Sequence, residues 1–473
     1  RGRGRGRGRG RDSLTSARSG PVGPVRSDGR GGPHPAEIVP FNVIDEAIHL
    51  LDTEAAPWSI QLELRVAGAL DVIRLRPAVV DALERHPMGR ARKKPSRRDL
   101  RGDWWEIPAT VDLDPLSVVD CPDDGALGRA RAQLQSMAVP LAESPPLRVR
   151  LARHPEGDVL MLNVNHAAMD GFGALRLLRS VARAYTGEAD PTPALDLSQA
   201  RDLPTRLAAP NLATRTRRRL VLLEKMRDLI LPPARLAGDG ASGETGYGFH
   251  LVQLTAADTQ ALLDLPYQGT VNDVLLAALH QAIAQWNAEH RVRCGRIGVL
   301  VPANLRPLAW RNDVVGNFSL PARVTTNRRS RRGNLTALKT VTSQTARKKK
   351  TGMGTALIEL LGRSRLLPLW AKQVMVMLLP VTGNRLVDTA MLSNLGSLED
   401  VPSFGPEVGA ITEVWFSPPA RMPLGLAIGV ATASGRLHLS FRYRNRLFGP
   451  DAAARFADHY LDQLQSFIRT RQT

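Results

Sequence analysis

The sequence predicts an α+β fold in two lobes, each a mixed β-sheet flanked by helices. Three observations lead there. The chain has 473 residues, too many for one ordinary core. Apolar residues make up 43%, the share of a globular protein rather than a disordered one. Segments of strand period and helical period interleave without strict β–α–β alternation.

Residues 1–36 open with five Arg-Gly repeats and stay rich in Gly, Pro, Ser and Arg. They carry no apolar period, so they cannot bury enough surface to offset their ordering entropy, and a disordered tail is expected. Residues 37–187 read as a first lobe, with order beginning near Phe41. Ser59–Val66 is a strand, followed by an amphipathic helix from Leu70 to Arg85 and a second helix over Ala126–Ala138. Leu147, Val149 and Leu151 then alternate with Arg148 and Arg150, the pattern of a half-buried strand. After a turn at Pro155–Gly157, Val159–Asn165 is continuously apolar enough for a strand covered on both faces. Helical period starts at Gly171, sets Phe172, Leu175, Leu178, Ala182 and Tyr185 on one face, and stops at Gly187.

Residues 188–246 look like a connector with Pro and Gly at both ends and a basic helix, Arg215–Ile230, in its middle. Residues 247–473 read as the second lobe. A strand at Phe249–Leu254 leads to a helix capped by Thr255 with Asp258. A second helix, Val271–Asn287, has the same start, Thr270 with Asp273. Strands follow at Ile297–Pro302 and Phe318–Thr325, then helical sequence to about Val381. Strands at Met391–Asn394 and Ala410–Phe416, a hairpin around Ser434–Gly435 and a final helix over Asp451–Ile468 complete the lobe.

Two cysteines far apart, Cys121 and Cys294, exclude a disulfide scaffold and a cysteine-rich zinc site, and they suit a reducing compartment. No metal site, Walker loop or paired-carboxylate site is expected. The stretch Leu366–Val381 is interrupted by Pro368, Lys372 and Pro380, which argues against a membrane span. No hydrophobic signal core opens the sequence, so a cytoplasmic protein is the expectation. The formal charge is +19, with 56 Arg against eight Lys. Such a surface suits acidic partners: phosphates, anionic lipid or an acidic carrier protein. The Arg-Gly repeats lack interleaved aromatics, so nucleic-acid binding is not expected. The mixed Leu, Trp, Met, Arg and Lys of Arg365–Leu379 suits either an acyl-lined wall or peripheral contact with a membrane.

The chemistry concentrates in Asn163–Gly173. His166 falls at the end of a buried strand, just before a helix, where a turn aims its imidazole into a cleft. With an unperturbed pKa near 6.5 it is available as a base at neutral pH. Asp170 sits where it can fix the loop by hydrogen bonding or by pairing with an Arg. Gly171 permits a tight backbone path.

His166-Ala-Ala-Met-Asp170-Gly171 resembles the HHxxxDG motif of the CoA-dependent acyltransferase superfamily. That group includes chloramphenicol acetyltransferase, wax ester synthase/diacylglycerol acyltransferases, polyketide-associated acyltransferases and nonribosomal peptide condensation domains. Further matches follow in order. Thr270-Val-Asn272-Asp273 resembles the TxND helix start of the wax ester synthase group. Val301-Pro-Ala-Asn-Leu-Arg306 resembles the segment whose Arg pairs with the motif Asp. Val315-Gly-Asn317-Phe and Leu392-Ser393-Asn394-Leu-Gly resemble two later elements. The resemblance spans residues 41–470 and implies two chloramphenicol-acetyltransferase-like lobes with a tunnel between them. It implies His166 and Asp170 as catalytic residues, with Asn165, Gly171 and Arg306 orienting. Asn165 departs from the motif's first His. Asn272, Asp273, Asn317, Ser393 and Asn394 are candidates for substrate or oxyanion contacts. The implied reaction is acyl transfer from acyl-CoA or a phosphopantetheine-linked donor to a hydroxyl, with an alcohol or amine acceptor, an acyl carrier protein as partner and no resident cofactor. An amide-forming condensation enzyme and an inactive scaffold of the same fold are the alternatives.

Overall fold

The structure, a computed structural model, describes residues 36–469 except 95–101, 194–195, 266–268, 308–309, 311, 399 and most of 352–386. The Arg-Gly segment and nearly all of Leu366–Val381 lie outside the described residues. In chain order the strands are β1 (Glu37–Pro40), β2 (Ser59–Val66), β3 (Arg92–Lys93), β4 (Trp104–Ile107), β5 (Leu116–Asp120), β6 (Leu147–Arg153), β7 (Val159–Asn165), β8 (Tyr247–Gln253), β9 (Ile297–Asn304), β10 (Ser319–Thr326), β11 (Ala390–Ser397), β12 (Ile411–Ser417), β13 (Leu426–Ala433) and β14 (Arg436–Arg444). The helices are α1 (Val43–Leu51), α2 (Val72–Arg85), α3 (Asp124–Ser136), α4 (Gly171–Thr186), α5 (Leu197–Arg201), α6 (Leu203–Arg206), α7 (Leu212–Ile230), α8 (Ala256–Leu263), α9 (Val271–Glu289), α10 (Asn334–Thr351) and α11 (Pro450–Arg469).

Two mixed sheets carry the lobes, as expected. The first has the order β12-β2-β7-β6-β5, the second β10-β9-β11-β13-β14-β8. Only β5–β6 in the first sheet, and β9–β11 and β11–β13 in the second, are parallel. A small sheet, β1-β4-β3, flanks the first lobe. Helices α2 and α4 close the first core against β2 and β7, burying Leu75, Val79, Leu83, Leu175, Leu178 and Val181. Helices α9 and α11 close the second, where Trp286 packs edge-on to Phe448 and Phe456.

The interior of both sheets follows from their sequences. Strand β7 is buried along its whole length, consistent with its apolar run. Strand β2 alternates yet is also buried throughout, because its polar face meets protein rather than water. Gln61 accepts from Ser417 Oγ at 2.7 Å, Glu63 pairs with Arg131, and Arg65 pairs with Glu413 at 3.1 Å. Buried charges demand such partners. Helix α4 is capped as its sequence suggests. Asp170 accepts from the Gly173 amide at 2.9 Å, and Gly187 ends it at φ +77°.

One boundary needs correction. Strand β12 belongs by sequence to the second lobe but pairs antiparallel with β2 at the edge of the first sheet. The chain can cross because Gly429 on β13 has no side chain. A Cβ there would stand 1.6 Å from the Phe416 carbonyl oxygen. Residues from Ala36 onward therefore form one unit rather than two separable lobes.

Candidate active site

Strand β7 runs straight into the turn that carries His166. The His166 amide donates to the Trp58 carbonyl at 3.0 Å. Its own carbonyl accepts from Asn317 Nδ2 at 2.8 Å. The ring Nδ1 lies 3.2 Å from the Met169 carbonyl. A carbonyl only accepts, so Nδ1 carries the proton and Nε2 keeps its lone pair. Burial pushes the imidazole below its ordinary value of 6.5, outweighing the nearby Asp170 charge and the Met169 carbonyl. The ring is thus neutral at physiological pH, the form that accepts a proton.

Asp170 fixes the loop by hydrogen bonding and by pairing with an Arg, as its position suggests. Its Oδ1 accepts from the Gly173 amide, and its Oδ2 accepts from Arg306 Nη1 at 2.7 Å and the Phe318 amide at 2.9 Å. Burial alone would raise this carboxyl, but Arg306 and the amide donors hold it below the ordinary carboxylate range. With both oxygens engaged, Asp170 is a positioning residue rather than a proton carrier. Arg306 completes the anchor by donating to the Gly316 carbonyl at 2.6 Å and the Val314 carbonyl at 3.2 Å. The pair fastens the His166 turn to the second lobe.

Asn165 is held behind the turn. Its Nδ2 donates to Asp52 Oδ2 and to the Val139 carbonyl, both at 2.8 Å, and its Oδ1 accepts from the Ala167 amide. Asp52 in turn accepts from the Trp58 amide at 2.8 Å. Gly171 is required by packing, since a Cβ would approach Phe416 Cε2 to 2.6 Å.

His166 opens onto a cavity of about 540 Å³. The first lobe contributes Ile44, Ala47, Ile48 and Leu51 from α1, with Trp58 and Ile60. The second contributes Leu300, Pro302, Leu320, Pro321, Met391, Leu395 and the Pro418–Leu424 loop. Its polar lining is sparse: Asn304, Ser319, Asp388, Ser393, Asn394 and Arg421 beside His166 and Asp170. Asp388 pairs with Arg323. A mostly apolar chamber with a few polar groups is the form of a small-molecule site.

Of the sequence candidates, His166, Asp170, Gly171, Ser393 and Asn394 line this cavity. Asn394 Oδ1 accepts from the Gly396 amide at 2.7 Å. Arg306, Asn165 and Asn317 stand behind it. Asn272 and Asp273 do not belong to it, which corrects the expected substrate contact. Asp273 caps α9 by accepting from Thr270, and its other oxygen accepts from Thr345 Oγ1 at 2.7 Å. Trp58, Asp388 and Arg421 were missed. Each stands alone in sequence, with no neighbouring spacing to mark it.

The second lobe also grips the strand entry beside His166. Arg421, Arg444, Tyr247 and Arg442 donate to the carbonyls of Leu51, Ala55, Pro57 and Ser59, at 3.1, 2.7, 3.0 and 2.7 Å. Tyr247 lies between the two inner guanidinium groups, 3.9 Å from Arg442 and 4.5 Å from Arg444. Desolvation lowers Arg442 to about 10. This clamp fixes the segment whose Trp58 carbonyl holds the His166 turn.

No protein-family model matches the chain. The uncharacterized protein Rv2305 of Mycobacterium tuberculosis is 34% identical over 435 residues, covering 90% of this chain and 98% of that protein. A probable non-canonical nonribosomal peptide synthetase of Salinispora arenicola, CymA, is 28% identical over 174 residues, 34% of this chain and 2% of CymA. Among solved structures, the first condensation domain of the calcium-dependent antibiotic synthetase in complex with a substrate analogue has a TM-score of 0.70 at 15% identity, covering 91% of this chain and 96% of that one. The epimerization domain from the third module of tyrocidine synthetase B has a TM-score of 0.66 at 18% identity, covering 92% and 97%. These structures share the two-lobed, chloramphenicol-acetyltransferase-like fold. The chain belongs to the family of the uncharacterized protein Rv2305, and it shares the fold of the condensation and epimerization domains.

Proposed function

We propose that the protein transfers an acyl group from a thioester, on CoA or on a carrier protein, to a hydroxyl acceptor, with His166 as general base. The observation that carries this reading is a neutral imidazole, oriented by Met169 and opening onto a largely apolar cavity between the lobes. Nε2 takes the acceptor's proton as its oxygen attacks the thioester carbonyl. The tetrahedral intermediate then collapses, the C–S bond breaks, and the imidazolium returns the proton to the departing thiolate. No acyl-enzyme forms, because both reactants meet in one chamber, and that proximity supplies much of the acceleration. Ser393 and Asn394 border the cavity, and in this reading they would meet the developing oxyanion.

The likeness to condensation domains favours a second reading, in which an amine attacks a carrier-bound acyl group and an amide results. A panel of acyl-CoAs and acyl-pantetheine carriers, offered with alcohols and amines and followed by mass spectrometry of products, separates the two. His166→Ala should lower turnover by about 10²–10⁴-fold. A folded His166→Ala variant that makes product at the wild-type rate would remove the mechanism, and a wild-type chain that makes no product across the panel would leave a scaffold that keeps the fold.

A further inference from the structure

Helix α7 lies in the connector and takes no part in the cavity. It concentrates exposed large apolar side chains on a single element: Leu212, Leu220, Leu223 and Ile230, with Leu231 just beyond. Leu212 and Ile230 are 75% and 77% exposed, values that no core-facing residue shows. Stepping at about 100° per residue, Leu212, Thr216, Arg219, Leu223 and Ile230 share one narrow face. Arg215 and Leu220 flank it. About 120° round the helix from that face, Arg218 is buried against Glu359 and the Leu207 carbonyl. Exposed large apolar side chains gathered on one face of a helix mark an interaction site.

Charge identifies the occupant. Arg215, Arg217 and Arg219 are exposed and, among the described residues, have no ion-pair partner. The whole chain carries +19. Leucines and an isoleucine interspersed with unpaired arginines suit a surface that offers both acyl chains and anionic headgroups. A second copy of this chain would bring together two faces whose described charges are all positive. We infer that α7 seats the protein on an anionic lipid bilayer, with Leu212, Leu223 and Ile230 dipping below the headgroups and Arg215 and Arg219 resting among them.

The test is co-sedimentation of the full chain with vesicles, one set of phosphatidylcholine and one of phosphatidylcholine mixed with phosphatidylglycerol. The protein should pellet with the anionic set and stay in solution with the neutral one. Replacing Arg215, Arg217 and Arg219 by Gln should weaken binding by roughly five-fold per arginine. The double variant Leu223→Glu/Ile230→Glu should abolish it while leaving the circular dichroism unchanged. Wild-type binding by either folded variant would overturn the inference, since the basic segment 1–35 would then be the cause. So would a dimer in sedimentation velocity that the Leu223→Glu/Ile230→Glu variant dissociates, which would assign the face to a second copy. None of these readouts involves turnover, so they stand or fall apart from the proposed reaction.

Discussion

In the proposed reaction His166 can act as a base only while it is neutral, and enclosure keeps it so. Its pKa lies below 6.5 in the folded protein, so kcat/KM should be flat through neutral pH. It should fall by one proton's dependence in acid, at a pH below that of a free imidazole. An acid limb centred above 6.5 would contradict the assignment. Asp170 contributes differently, through a buried charge pair whose loss strands Arg306. Asp170→Asn should therefore cost about 3–5 kcal/mol of stability, read from urea unfolding, and lower turnover by displacing the turn. The sequence made this part of the site legible because His166, Asp170 and Gly171 stand in one turn, and the Asp170–Arg306 pair came with the resemblance. Trp58, Asp388 and Arg421 were hidden, since they come to line the same cavity as His166 only after separate elements fold. Asn272 and Asp273 misled for the converse reason: a capping box and a ligand contact use the same residue types.

Among the elements, those with internal signals were read well. Strand β7 had its apolar run, and α4 had its cap, its stripe and its closing glycine. Strand β1, strand β4 and helix α1 were missed, being short and flanked by polar or Pro-rich sequence. Strand β12 was recognised as a strand but given to the wrong sheet, because nothing local in Ile411–Ser417 encodes its partner. The determinant is remote: Gly429, whose bare Cα lets the Phe416 carbonyl pass. Gly429→Ala puts a methyl group onto backbone, which has little freedom to retreat. We expect a loss of about 1–3 kcal/mol or more, with Tm falling and β12 amides losing hydrogen-exchange protection first. Unchanged protection at Val414–Phe416 would show that the crossing is looser than the contact implies.

For the molecule as a whole, two buried histidines set the response to acid. His86, against Ser180 at 2.7 Å, and His280, against Thr326 at 2.8 Å, are both lowered by burial from 6.5 to about 3. Between those values the unfolded chain binds protons that the folded chain refuses. Stability should be full above pH 6.5 and decline below it by about 1.4 kcal/mol per pH unit for each histidine. Urea midpoints at pH 7.0, 6.0 and 5.0 should show the slope, and His280→Gln should make it shallower by about 1.4 kcal/mol per pH unit; a slope unchanged in that variant would exclude His280 as a source. The two-lobed architecture was legible from the alternation of periods, whereas the seam between the lobes was not. Its bonds, from Arg442 and Tyr247 to the Pro57–Ser59 carbonyls and from Ser417 to Gln61, join residues hundreds of positions apart. Because β12 is laced into its neighbour's sheet, the two halves cannot gape like a clamshell without tearing a ladder of backbone bonds. Under the proposed reaction, a substrate would then have to reach the cavity by side-chain movement around its rim rather than by the lobes swinging apart.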